Sequence, residues 1–91
     1  DSAIAGKATI NHNLGYYPYV DVLVSAYIGT PTGKYEYCPF FGAGATIGYS
    51  ANYKVTESAV EVYAEIEGIS SETWVFDFVV FIYKNDLNLS D

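Results

Sequence analysis

Ala8-Thr9-Ile10-Asn11-His12-Asn13-Leu14-Gly15-Tyr16-Tyr17-Pro18-Tyr19-Val20-Asp21-Val22 reads as a strand, a rigid corner and a second strand. Ile10 belongs to a short run of β character, and then Asn13, Gly15 and Pro18 fall too close together for a helix or an unbroken strand to pass. Pro18 holds its own φ and pushes Tyr17 towards extended backbone, while Gly15 accepts the positive φ of a tight reversal. His12, Asn13, Gly15 and Pro18 are therefore expected to build the corner. Beyond it the chain turns apolar at every second position.

Working outward, residues 3–11 alternate weakly and suit an edge strand that Lys7 protects from further pairing. Residues 19–28 set Val20, Val22, Val24, Ala26 and Ile28 against Tyr19, Asp21, Leu23, Ser25 and Tyr27, a period of two that predicts a strand. A turn cluster, Gly29 to Gly33, precedes a short strand that Pro39 stops, and residues 40–44 read as a glycine-punctuated loop. Residues 45–55 and 58–67 alternate again around Thr56-Glu57 and are expected to form an antiparallel hairpin. Residues 73–84 carry two largely apolar faces, Trp74/Phe76/Phe78/Val80/Ile82 and Val75/Asp77/Val79/Phe81/Tyr83. Such a strand is expected to be covered twice, and a short chain has one core to offer. A second subunit is therefore the expected cover for Val75, Val79, Phe81 and Tyr83. The tail from Asn85 reads as polar and loose. No helical spacing, low-complexity tract or internal repeat stands out. Five to seven short strands interrupted by Gly and Pro predict an all-β fold, an antiparallel β-sandwich of Ig-like or jelly-roll-like build.

Composition narrows the function. The 91 residues make one domain, 51% hydrophobic and 18% aromatic, which excludes disorder. No apolar run approaches the roughly 20 residues of a membrane span, so membrane insertion is not expected. A net charge of −7 repels phosphate backbones and argues against nucleic acid. The first residues, Asp1-Ser2-Ala3-Ile4, resemble neither a signal peptide nor a start, which suggests a domain excised from a longer chain. The single Cys38 cannot form an internal disulfide and reads as a small buried apolar residue.

Catalytic and metal chemistry find little purchase. The one His removes multi-His metal sites and leaves any nucleophilic triad resting on His12, whose position in the corner suits bonding to neighbouring backbone instead. Glu61, Glu65 and Glu67 share a strand face, where a cation or a glycosidase pair is conceivable and a solvated face is the ordinary reading. Asn88-Leu89-Ser90 fits a glycosylation sequon without any secretory signal to support it. No cofactor, no metal and no enzyme activity are expected. Ten tyrosines are the least ordinary feature, because Tyr offers apolar area with a polar tip and is favoured at recognition surfaces. Tyr16, Tyr17, Tyr19 and Tyr27, around the corner and on the face after it, are the candidate ligand contacts, for a sugar or another protein. The alternative is that Tyr simply pads sheets as a good strand former.

The run Thr9 to Val20, with its His12-Asn13-Leu14-Gly15-Tyr16-Tyr17-Pro18 corner, resembles a pattern in small β-sandwich domains of bacteriophage tail fibre, tail tip and baseplate proteins. The likeness covers twelve residues closely and the rest only as alternating strands. It implies a virion structural protein made in the bacterial cytoplasm, commonly a homotrimer, whose terminal domain touches a host-surface glycan or protein. The His-x-His iron tract of some fibre tips is not carried over, since Asn11-His12-Asn13 holds one His. The competing expectation is a free-standing lectin-like carbohydrate-binding module, secreted or at a cell surface.

Overall fold

The computed structural model describes residues 2–43, 47–68 and 73–84, and every regular element among them is a strand. In chain order these are β1 (Ser2–Asn11), β2 (Tyr19–Ile28), β3 (Glu36–Tyr37), β4 (Phe40–Ala43), β5 (Ile47–Val55), β6 (Ala59–Gly68) and β7 (Trp74–Tyr83). They form two antiparallel sheets, one ordered β1-β6-β5-β4 and the other β3-β2-β7, packed as a small β-sandwich.

Period-two alternation decides which side of each strand faces inward. Val20, Val22 and Val24 of β2 and Val60, Val62 and Ala64 of β6 are buried, and Val20, Val22, Val60 and Val62 form the centre of the core. Ile10, Cys38, Tyr53, Val55, Phe78, Val80 and Ile82 pack around them. Among the described residues no fully buried side chain is larger than valine, so the sheets approach on small β-branched residues and the large aromatics stay partly exposed. One end of the sandwich is instead aromatic: the Tyr49 ring lies 5.0 Å from Trp74, 5.8 Å from Phe76 and 6.1 Å from Phe40.

The corner carries the chain from one sheet to the other and is docked on the β5–β6 turn. His12 and Asn13 N–H both donate to Ser58 O, at 2.8 and 3.0 Å, and Gly15 N–H donates to Glu57 O at 3.0 Å. Asn13 and Gly15 hold φ of 54° and 81°, a pair of left-handed residues that explains Asn and Gly here. Pro18 is buried and opens β2. Within the turn, Thr56 Oγ1 accepts from Ala59 N–H at 2.9 Å and Thr56 N–H donates to Ala59 O at 2.8 Å.

One expectation needs correction. Residues 40–43 are not a loop but β4, paired with β5 through Phe40↔Ala51 and Gly42↔Tyr49; pairing, not local propensity, makes the strand, and Gly42 leaves room for the Tyr49 ring. Within the chain β7 is covered on one side only. Its Phe76/Phe78/Val80 side meets the other sheet, while Val79, Phe81 and Tyr83 on the opposite side are open to solvent. The tail after Lys84, its sequon and most of the connection before Thr73 lie outside the described residues.

Candidate functional site

The open side of the β3-β2-β7 sheet is the most unusual surface of the molecule. The β2–β7 register places Tyr19 opposite Tyr83, Asp21 opposite Phe81, Leu23 opposite Val79, Ser25 opposite Asp77 and Tyr27 opposite Val75, and β3 adds Tyr37 opposite Leu23. Paired residues share a face, so one side of a three-stranded sheet gathers tyrosines, a phenylalanine and two carboxylates. Tyr19 is 71% exposed, Tyr37 67%, and Phe81 and Tyr83 49% each.

The polar groups of this face are ordered by diagonal contacts. Tyr83 Oη donates to Asp21 Oδ2 at 3.0 Å, and Tyr27 Oη donates to Asp77 Oδ2 at 2.9 Å. Tyr19 stacks obliquely on Tyr83, ring centres 5.4 Å apart, with its hydroxyl 3.5 Å from Asp21 Oδ1. Hydrogen bonding to the Asp21 carboxylate raises the pKa of Tyr83, and the same bond to Asp77 raises that of Tyr27; desolvation and the neighbouring negative charge add to both. Each ring is thereby pinned upright by an acid on the adjacent strand.

This geometry redraws the candidate residues. Tyr19 and Tyr27 lie on the face, but at opposite ends of β2, about 27 Å apart at roughly 3.4 Å per residue. Tyr17, 69% exposed, and half-buried Tyr16 belong to the corner, so the four do not form one compact pocket. Val75, Val79, Phe81 and Tyr83, expected as an oligomer contact, share the same face as Tyr19 and Tyr27. Asp21 and Asp77 are not among the expected site residues. The readable signal for the acids is that both long strands of this sheet carry an Asp six positions before a Tyr, Asp21…Tyr27 and Asp77…Tyr83. Antiparallel pairing then crosses each acid with the other strand's tyrosine.

His12 is occupied by structure. Leu14 N–H donates to Nδ1 at 3.0 Å and Nε2 lies 2.9 Å from Thr56 O, which assigns the neutral Nε2–H tautomer donating to the carbonyl. Cys38 is half-buried against the core, and desolvation pushes its thiol up to about 11. Glu61 approaches Lys7 at 3.8 Å, and no group of three potential metal ligands gathers among the described residues. On the far sheet, Phe41, Ser50, Glu65 and Glu67 line a shallow groove of about 280 Å³.

Compared with known protein families, curated proteins and solved structures, the chain matches none.

Proposed function

We propose that this chain is a virion structural and receptor-binding domain of a phage tail fibre or tail tip, which meets the host surface through the open face of β3-β2-β7. The observation that carries the reading is that face itself: Tyr19, Tyr37, Phe81 and Tyr83 exposed together, with the Tyr83 hydroxyl bonded to Asp21. Rigid amphipathic rings supply contact area at small entropic cost, and a carboxylate set between two tyrosines accepts hydrogen bonds from ligand hydroxyls. A net charge of −7 disfavours acidic polysaccharides and favours neutral or amine-bearing glycans. The assignment to a phage tail rests on the resemblance of the corner. A free-standing lectin-like module would use the same residues and differ in what it is joined to.

A second reading draws on Val79, which is 36% exposed beside Phe81: a homotrimer that buries this face. A face buried by assembly is not available to a glycan, so the two readings separate experimentally. Titration of purified host-surface polysaccharide against the wild-type chain and Tyr19→Ala, Tyr37→Ala and Phe81→Ala is the test. Recognition through the face predicts at least about a tenfold loss of affinity for each variant; unchanged binding sinks it.

A further inference from the structure

β7 is an edge strand along its whole length, since among the described residues it pairs with β2 alone. Which of its backbone groups lack partners follows from one bond. Cys38 N–H donates to Val22 O at 2.8 Å, so the even-numbered residues of β2 turn their backbone groups towards β3 and the odd-numbered ones towards β7. Their partners Val75, Asp77, Val79, Phe81 and Tyr83 face back. The N–H and C=O groups of Trp74, Phe76, Phe78, Val80 and Ile82 therefore point to the open edge.

The other edges are blunted. β1 has an irregular register between Ile4 and Gly6 and carries Lys7, β3 spans 2 residues and β4 spans 4. β7 runs 10 residues without Lys, Pro or bulge, the kind of edge that templates another strand.

β2 shows which strand fits β7. Aligning Asp21 with Asp77 also aligns Leu23 with Val79 and Tyr27 with Tyr83. A second copy's β7 can therefore take, on the open edge, the register that β2 takes on the paired one. Tyr83 then stands opposite Val75 of the second copy, Phe81 opposite Asp77, and Val79 opposite its own equivalent on a two-fold axis. No carboxylate opposes another, and Phe76 with Ile82 and Phe78 with Val80 become the hydrogen-bonded pairs. Beside this edge, between β1 and β7, a mainly apolar cleft of about 330 Å³ is lined by Ala8, Val62, Trp74, Phe76 and Phe78, with Lys7 at its β1 side. The inward-facing Val80 and Ile82 of the second copy would come to lie over it. Trp74 Nε1 is buried there without an acceptor among the described residues.

We infer that the chain forms a two-fold dimer by antiparallel pairing of β7 with β7 of a second copy, joining two three-stranded sheets into one continuous sheet centred on Val79. This does not depend on glycan recognition, because the pairing uses the edge of the sheet and leaves its open face exposed.

Cysteine trapping in the full 91-residue chain tests the register. Val79→Cys places two thiols in a non-hydrogen-bonded pair, with Cα atoms about 4.5 Å apart, and should give a disulfide-linked dimer under mild oxidation. Asp77→Cys and Phe81→Cys should not cross-link singly and should cross-link when mixed. Equal cross-linking of all three alone, or none at 79, overturns the register. Light scattering should show a dimer that Val79→Lys weakens at least about tenfold by opposing like charges on the axis. A second variant, Val80→Pro, removes an edge-facing N–H and should act likewise while circular dichroism retains the β signal. A monomer at every concentration, a trimer, or a dimer indifferent to both variants overturns the proposal, the last pointing to a different surface.

Discussion

Tyr83 of β7 donates its hydroxyl to Asp21 of β2 at 3.0 Å, and the same relation runs the other way from Tyr27 to Asp77 at 2.9 Å. Two strands far apart in sequence thus exchange equivalent side-chain bonds across one sheet face.

Both phenols hold their protons more tightly than a free tyrosine. The folded state therefore binds protons that the unfolded state has released, so the stability these bonds add is fully present below about pH 10 and falls as pH rises through the raised values. Urea unfolding at pH 9 and pH 11 should show a larger alkaline loss for wild type than for the Tyr27→Phe/Tyr83→Phe double variant. Equal losses would show that the bonds do not discriminate between folded and unfolded chains.

His12→Ala removes both ring bonds and leaves Leu14 N–H and Thr56 O without their partners. The cost should be about 1–3 kcal/mol, which lowers Tm by roughly 4–8 °C per kcal/mol in a domain of this size. Calorimetry checks it. The glycan binding proposed for the sheet face should survive where the variant remains folded, since His12 lies in the corner and not on that face.

A Cβ at residue 42 would collide with the Tyr49 ring, itself held between Phe40, Trp74 and Phe76. Gly42→Ala should therefore cost about 1–3 kcal/mol through overpacking. Denaturant titration measures the loss, and adding Tyr49→Leu should shrink it.

Burial raises the Cys38 thiol to about 11, so little thiolate exists at pH 8. Alkylation of the folded chain should be slower than that of the urea-unfolded chain by on the order of a hundredfold. Timed iodoacetamide labelling followed by mass spectrometry decides it; similar rates in both states would place the thiol in solvent.

The local record of this fold is good wherever a strand is long enough to alternate. Residues 19–28 announce themselves because every second side chain must be apolar to reach a core, and residues 74–83 by strand-forming apolar residues on both faces. The corner is legible for a related reason: Asn13, Gly15 and Pro18 restrict their own backbones, whatever lies around them. Periodicity alone also set Val75, Val79, Phe81 and Tyr83 on one side of their strand.

Partners, by contrast, belong to the tertiary structure. Phe40–Ala43 is a strand because β5 pairs with it, and nothing in its four residues requires that. That Tyr19 and Tyr83 meet, that Asp21 and Asp77 each take a tyrosine from the other strand, and that Tyr19 and Tyr27 share one face with the expected oligomer residues all depend on the β2–β7 register. Alternation tells a residue which side of its strand it occupies; only long-range hydrogen bonding between strands tells it which residues stand beside it, and whether that side meets a second sheet or water.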